Sequence, residues 1–550
     1  MGRIMSRKFK QEEREIFEEL YREKTGIAAL LSPKKSAKEA AAGIEKLGTY
    51  ACLPSLAPLL VSGEASISRA AIQKVVTLLE DMPDSEWGWL DEGLRRSFYR
   101  YSSSRLRGWY NLTPSALKGY HWSGEEATAA LKLLSCHHSG YVREHALKSL
   151  LATDLVDVMP ILFVRVNDWV QKVRLIAYTS LWERVAEMPV DMLIRYLILI
   201  DQLKARARND HRELVAFVEE KLTQPGAVEN ILECVGSDNF RISRISYDLC
   251  DRLVADRAAL LKRASSSVDS VVRVKALKLS AGILNGEDLY RYILESCNDR
   301  APAIKKQSLY LLVEYFFERS EEQLRHFLMD KSSGIRDCAK FYLEKFGVDD
   351  IPEFYRTKLS GCESTASIEA ILGLGEVGNQ SDWLLVEEYL NHKRPKVRAA
   401  VIESAGKLKP VGYVDLLYQK LFFGMPSEVK AARKGLSDAG QVSLDRLKES
   451  DIKVSSSYQG KIVRGLITDC DKWDGLIATL EFTVGIVVEA NSNATEELIQ
   501  WFNRNDRSYW FVGPTSEQMA RLNTLVRDIE SVVDTRIYEK LMKLIRVLEL

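Results

Sequence analysis

The chain has 550 residues, several times the ~100–200 of one compact domain, so it either holds several domains or grows as an array without a single core. Hydrophobic residues make up 46% and charged residues 28%, the balance of a folded soluble chain and not of a disordered one. Basic and acidic residues number 77 each, which excludes a chain-wide cationic coat for nucleic acid or acidic membrane and leaves only local patches.

The N-terminal stretch MGRIMSRKFKQEEREIFEEL is basic and then acidic, and it lacks the apolar core of a signal peptide. It predicts a capping helix over about residues 11–24, within a leading region 1–35. No apolar run approaches the ~18–20 residues needed to span a bilayer, so no membrane partner is expected. The eight cysteines (52, 136, 234, 250, 297, 338, 362 and 470) are scattered, several in predicted helix interiors. They read as small buried hydrophobes in a reducing compartment, and the expected location is the cytoplasm.

A repeat begins in region 36–81. An aliphatic residue is followed four positions on by a small residue, and four beyond that by an apolar or small one: Ile67…Ala71…Val75. The pattern returns in region 125–450, usually with a basic residue after the aliphatic, at Val142-Arg143…Ala146…Leu150 and Val173-Arg174…Ala177…Leu181. Further copies are Ile242…Ser246…Cys250, Val272-Arg273…Ala276…Ser280, Ile304-Lys305…Ser308…Leu312 and Ile335-Arg336…Ala339…Leu343. Ala366…Ala370…Leu374, Val397-Arg398…Val401…Ala405 and a slipped Glu428…Ala432…Leu436 complete the run, at steps of about 31 residues. Spacing of four puts these side chains on one helical face. The small middle residue admits a neighbouring helix. Turns such as Asn167-Asp168, Ser237-Asp238 and Asn298-Asp299 precede the motifs, with residues that cap and break helices. Each unit is helix, turn, helix, and it must stack to bury its own face.

The string "VR..A...L" after an Asp-containing turn, with exits such as ESAGKLKP, LGLGEVGNQ and IEKLGTYACLPSLAPLL, resembles HEAT repeats of the short phycobilisome-lyase type. The resemblance covers residues 36–80 and 126–445, less clearly 182–235. It implies an all-α fold, a right-handed α-α superhelix of stacked HEAT-like helix pairs. The family spans scaffolds, adaptors, chromophore-lyase subunits and a DNA glycosylase group, so it implies little about function. The glycines of LGLGEVGNQ are expected to act as helix C-caps.

Region 82–124 departs from the array. It interleaves Arg95, Arg96, Arg100, Arg105, Arg107 and Lys118 with Phe98, Tyr99, Tyr101, Trp109, Tyr110, Tyr120 and Trp122, and from 93 to 124 it has no acidic residue. Arg95, Arg96, Tyr99, Arg100, Tyr101, Arg105, Arg107, Trp109, Tyr110 and Trp122 are therefore candidate partner-binding residues. Such a mixture suits protein hot spots, or nucleic acid, whose phosphates meet the cations while its bases stack on the rings. The reading favoured over both is an elaborated repeat whose aromatics fill a local core and whose arginines lie solvated.

A second candidate surface is the basic ladder Arg143, Arg174, Arg244, Arg273, Lys305, Arg336, Arg398 and Lys430. It reads either as a track for phosphates or an acidic tail, or, as favoured here, as turn closure with the Asp of the preceding turn. In the C-terminal region 451–550, a divergent helical cap, DCDKWDGLIATLE offers Asp469, Asp471, Asp474 and Glu481 in a register near that of a calcium loop, broken by Trp473. WFNRNDRSYWFVGP forms a second aromatic and basic loop, and a long amphipathic helix is expected from Ser516 to the end.

Catalytic signatures are missing from the sequence. Cys136-His137-His138 with His145 lacks a second ligand pair for a metal site, and no phosphate-loop, nucleophile-elbow or HExxH motif occurs. Trp109 or Trp122 with Asp91 is one imaginable enzyme site, in a concave groove, and nothing in their spacing supports it. The reading is a non-enzymatic scaffold or adaptor without cofactor, with a protein partner ahead of nucleic acid and an enzyme third. The oligomeric state is not readable.

Overall fold

The computed structural model describes residues 10, 12–13, 16–17, 37–96, 107–122, 124–153, 157–205, 208, 210–224, 226–253, 256–360, 367–448, 458–459, 462–463, 465–466, 472–485, 491–505, 513–530, 533 and 535–549. Among them all regular structure is helical. The chain divides into two compact units, Met1–Tyr292 and Ile293–Leu550. The expected N-terminal helix lies largely outside the described residues, as do Cys362 and Cys470.

The repeated motif is what builds each unit. In every copy with described residues the small middle residue is fully enclosed: Ala71, Ala146, Ala177, Ser246 and Ala276 in the first unit, Ser308, Ala339, Ala370 and Ala432 in the second. The third motif residue is equally enclosed, from Leu150 and Leu181 to Leu343 and Leu436. One register shift appears. Ile242 is half-buried while Ser243 takes the core position, and its hydroxyl donates to the Val235 carbonyl at 2.6 Å.

In the first unit the motif helices Gly140–Leu151 and Gln171–Glu187 pack on each other, and each also packs on the helix before it, Gly124–Leu134 and Met159–Arg165 respectively. Phe240–Leu253 and Ser270–Ser280 repeat the arrangement with Ala227–Cys234 and Arg257–Ser265. In the second unit Ile368–Val377, Pro395–Leu408 and Pro426–Asp438 pack in succession. The turn carboxylates start the motif helices: Asp168, Asp269, Asp299 and Asp330 accept the backbone N–H two residues on, at 2.7–3.2 Å. Each thereby satisfies an orphan donor of the first turn.

Two sequence expectations are revised, and the calcium-loop alternative, not the favoured one, falls as well. Gly373 and Gly375 lie inside the helix Ile368–Val377 and not at its end. A Cβ on Gly373 would stand 2.2 Å from the Tyr355 ring, and one on Gly375 2.5 Å from the Ser404 hydroxyl. These glycines are therefore close-packing residues. Only Gly378 caps, with an ordinary extended backbone. Lys472–Gly485 is continuous α-helix, so Asp474, Ile477 and Glu481 lie on a helix where a calcium loop would need them in a turn. The C-terminal helix is two helices, Ser516–Asp528 and Thr535–Leu548. The first opens on a capping box of Thr515 and Gln518, and both bury apolar faces with Trp473 and Trp501.

Candidate interaction surface

Most ladder cations do one or both of two jobs, each internal. Five of them donate from a guanidinium Nη1 to the carbonyl six residues back, and four of these also to the carbonyl five back, closing the turn that starts their own helix. Arg143 meets His137 and His138 at 2.8 Å each. Arg174 meets Asp168 at 2.7 Å and Trp169 at 3.2 Å, and Arg273 meets Ser267 and Val268 at 2.8 and 2.9 Å. Arg336 reaches the Asp330 carbonyl and Arg398 that of His392, both at 2.8 Å.

The remaining donors reach a carboxylate further along the chain. Arg143 grips Asp168 through both oxygens, at 2.8 and 2.6 Å. Arg244 pairs with Asp269, Lys305 with Asp330 at 2.6 Å, Arg336 with Glu376 and Arg398 with Glu428. The acid thus belongs to a later segment and not to the turn that precedes the Arg, which is where the sequence reading put it. Lys430 is exposed.

The densest of these contacts is a buried hub in the first unit. Arg143, Arg165 and Asp168 are all enclosed. Arg165 donates to Asp168 at 2.6 Å and pairs with Asp91. Arg95, half-buried, donates to Asp91 at 3.1 Å and to Asp168 at 3.4 Å. Three guanidinium groups on two carboxylates carry one excess positive charge, and the Arg165 Nε has no acceptor among the described residues. Burial would raise the Asp168 carboxyl, but the Arg143 hydrogen bonds and the two adjacent guanidinium charges bring it down to about 2.

Beside the hub, His137 is enclosed. Its Nε2 faces the Trp109 carbonyl at 2.8 Å and its Nδ1 accepts from the Ser139 N–H at 3.1 Å. Those partners hold the neutral ring with the proton on Nε2. Burial, with His138 and Arg143 close by, pushes its pKa down to about 3.

Trp109 is buried in the core, edge-on to His137 at 4.7 Å, so its fate matches the core-filling reading and not a contact surface. Tyr110 is half-buried against His138, and Trp122 is half-buried and stacked on Tyr120 at 5.2 Å. Tyr99, Arg100, Tyr101 and Arg105, with the side chains of Arg96 and Arg107, lie outside the described residues. Asp91 is engaged by Arg165 and Arg95. Burial pushes the thiols of Cys52, Cys250 and Cys297 up to about 12 and that of Cys136 to about 11, so none is a ready nucleophile.

Among the described residues no group of three or more His, Cys, Asp or Glu converges as a metal site. No described helix is long and apolar enough to cross a membrane.

Apolar side chains stand in water where the motif helices of the first unit begin. Tyr141 is 77% and Trp169 66% exposed, and Phe240, Val268 and Val271 are exposed beside the later turns. Neighbouring turns are one guanidinium apart, because Arg143 touches the turn at 137–138 and Asp168 at once. Arg208 lies over the Trp169 ring at 4.1 Å and reaches the Asn167 carbonyl at 3.5 Å. Asn167 in turn meets His211 at 3.3 Å. His211 lines a cleft of about 370 Å³ with Lys204, Arg212, Glu219 and Arg252, in which Glu219 is held by Lys204 at 3.0 Å and Arg252 at 2.9 Å.

The sequence reading missed this edge. Two signals point to it: an aromatic directly after the turn in NDW and DNF, and the basic run Lys204, Arg206, Arg208 and Arg212. No family model matches the chain and no curated protein is significantly similar to it, so function is argued from geometry.

Proposed function

We propose that the chain is a non-enzymatic binding scaffold, a solenoid of stacked HEAT-like helix pairs that holds a protein partner along the helix starts of its first unit. One observation carries this reading. Tyr141, Trp169, Phe240, Val268 and Val271 keep apolar surface in water at successive turns, while most ladder cations that would attract a polyanion are already closed on internal acids. Exposed apolar groups rimmed by Arg are the composition of protein interfaces. The ion-paired carboxylates and raised thiols support a role without catalysis.

The test is photocrosslinking in cells of the source organism, with benzoylphenylalanine at position 141 or 169. A nuclease-resistant protein adduct is expected at these positions and none at 430. An adduct destroyed by nuclease, or none at either position, sinks the reading. Nucleic acid, the second reading, is supported by the cation over Trp169. It predicts salt-sensitive retardation of single-stranded DNA or RNA by the purified protein.

A further inference from the structure

The ladder has a rung without an acid. Arg143, Arg244 and Lys305 each reach an aspartate 25 residues on. The residue at that distance from Arg174 is the buried Leu199. Arg174 keeps its turn contacts through Nη1, but among the described residues no carboxylate reaches its guanidinium. It is half-buried, so the rest of the fork opens to solvent.

The same turn carries Trp169, exposed, with Arg208 over its ring. The carbonyls of Asn167, Asp168 and Trp169 therefore hold two cations that meet no carboxylate among the described residues, beside an exposed indole with Arg208 over its ring. At Arg143 and Arg244 of this unit an internal aspartate fills the place, and here the position is left for one from outside.

We infer that this turn is the receptor for a carboxylate side chain on an extended, acidic segment of a partner protein, with Trp169 and the neighbouring Tyr141 taking the apolar side chains beside it. This rests on the protein-scaffold reading and deepens it. A planar guanidinium fork matches a carboxylate bidentately, as Arg143 already demonstrates on Asp168.

Two observations favour a peptide over a nucleic acid strand. The open cations are few, whereas a strand brings a charge at every nucleotide. Leu175, on the helix that follows this turn, is exposed, and an aliphatic group receives side chains but does not stack bases. A proline-rich strand repeats its side chains every three residues, about 9 Å, close to the ~8–10 Å between packed helices.

The experiment is fluorescence anisotropy of the full chain with three labelled probes: a peptide of repeating Glu-Leu-Pro, the same peptide with Lys for Glu, and oligothymidylate. The acidic peptide is expected to bind, and Trp169→Ser and Arg208→Ala each to weaken it at least about tenfold. Both sites are exposed and should leave the melting curve unchanged. Arg208→Glu should lose the acidic peptide and gain the Lys peptide, an exchange that misfolding cannot mimic. Tighter binding of oligothymidylate than of the acidic peptide overturns the inference, as does binding of the acidic peptide that Arg208→Glu leaves intact. No binding of any probe, with the crosslink at 141 retained in Arg208→Glu, also overturns it while the scaffold reading stands.

Discussion

Arg143, Arg165 and Asp168 are the residues whose burial costs most to maintain, since an ion brought out of water needs close partners to offset its desolvation. Asp168 supplies those partners to both arginines and to the Val170 N–H. Asp168→Asn would leave buried guanidinium charge uncompensated, and a loss of about 3–5 kcal/mol is expected in urea unfolding of the first unit. His137 adds a pH dependence. Its folded pKa near 3 lies below the ordinary 6.5, so between those values the unfolded chain binds more protons than the folded one. Stability is therefore complete above about pH 6.5 and falls as the pH drops toward 3, and Asp168 adds its own loss below about 4. A series of melting temperatures across that range checks the slope, which His137→Asn should flatten. Of all this the sequence disclosed only that Arg143 and an Asp-bearing turn belong together. Which turn supplies the acid depends on segments 25 residues apart meeting in space.

At the scale of elements, close helix packing depends on residues without bulk. Gly406 lies in Pro395–Leu408 and faces Gly435 in Pro426–Asp438, where a Cβ would stand 2.9 Å from the opposing Cα. The obstacle is backbone, so the helices must separate to admit a methyl group. Gly406→Ala is expected to cost about 1–3 kcal/mol. Val411, 96% exposed in the loop after that helix, provides the control: Val411→Ser should change stability by no more than about 0.5 kcal/mol. Both substitutions are read in the same thermal melts. The period-of-four motif was legible because it is local, and its small residues are enclosed as expected. Gly373 and Gly375 were misread because a glycine near a helix end looks alike whether it caps the helix or admits a neighbour. Only Tyr355 and Ser404, brought in by packing, tell the two apart.

Across the whole molecule, the proposed function assigns stability and binding to different side chains. The cores are mainly aliphatic, and Trp109 of the Arg-rich region belongs to one of them. Of the exposed aromatics, Tyr141, Trp169 and Phe240 border the turns of the first unit. A triple variant Tyr141→Ser, Trp169→Ser and Phe240→Ser is accordingly expected to melt within a few degrees of the wild type and to lose the partner crosslinked at neighbouring positions. A large fall in melting temperature would return these side chains to the core.

By itself the sequence determined an all-helical chain, the face each motif helix buries and the turns that start them, because these follow from spacing and capping within a few residues. Tertiary structure alone decided which cations are neutralised, which aromatics stay in water and that Arg174 meets no acid among the described residues. Those outcomes depend on which distant segment arrives beside each side chain, and a desolvated charge or an exposed ring is defined by that neighbour, not by its own place in the chain.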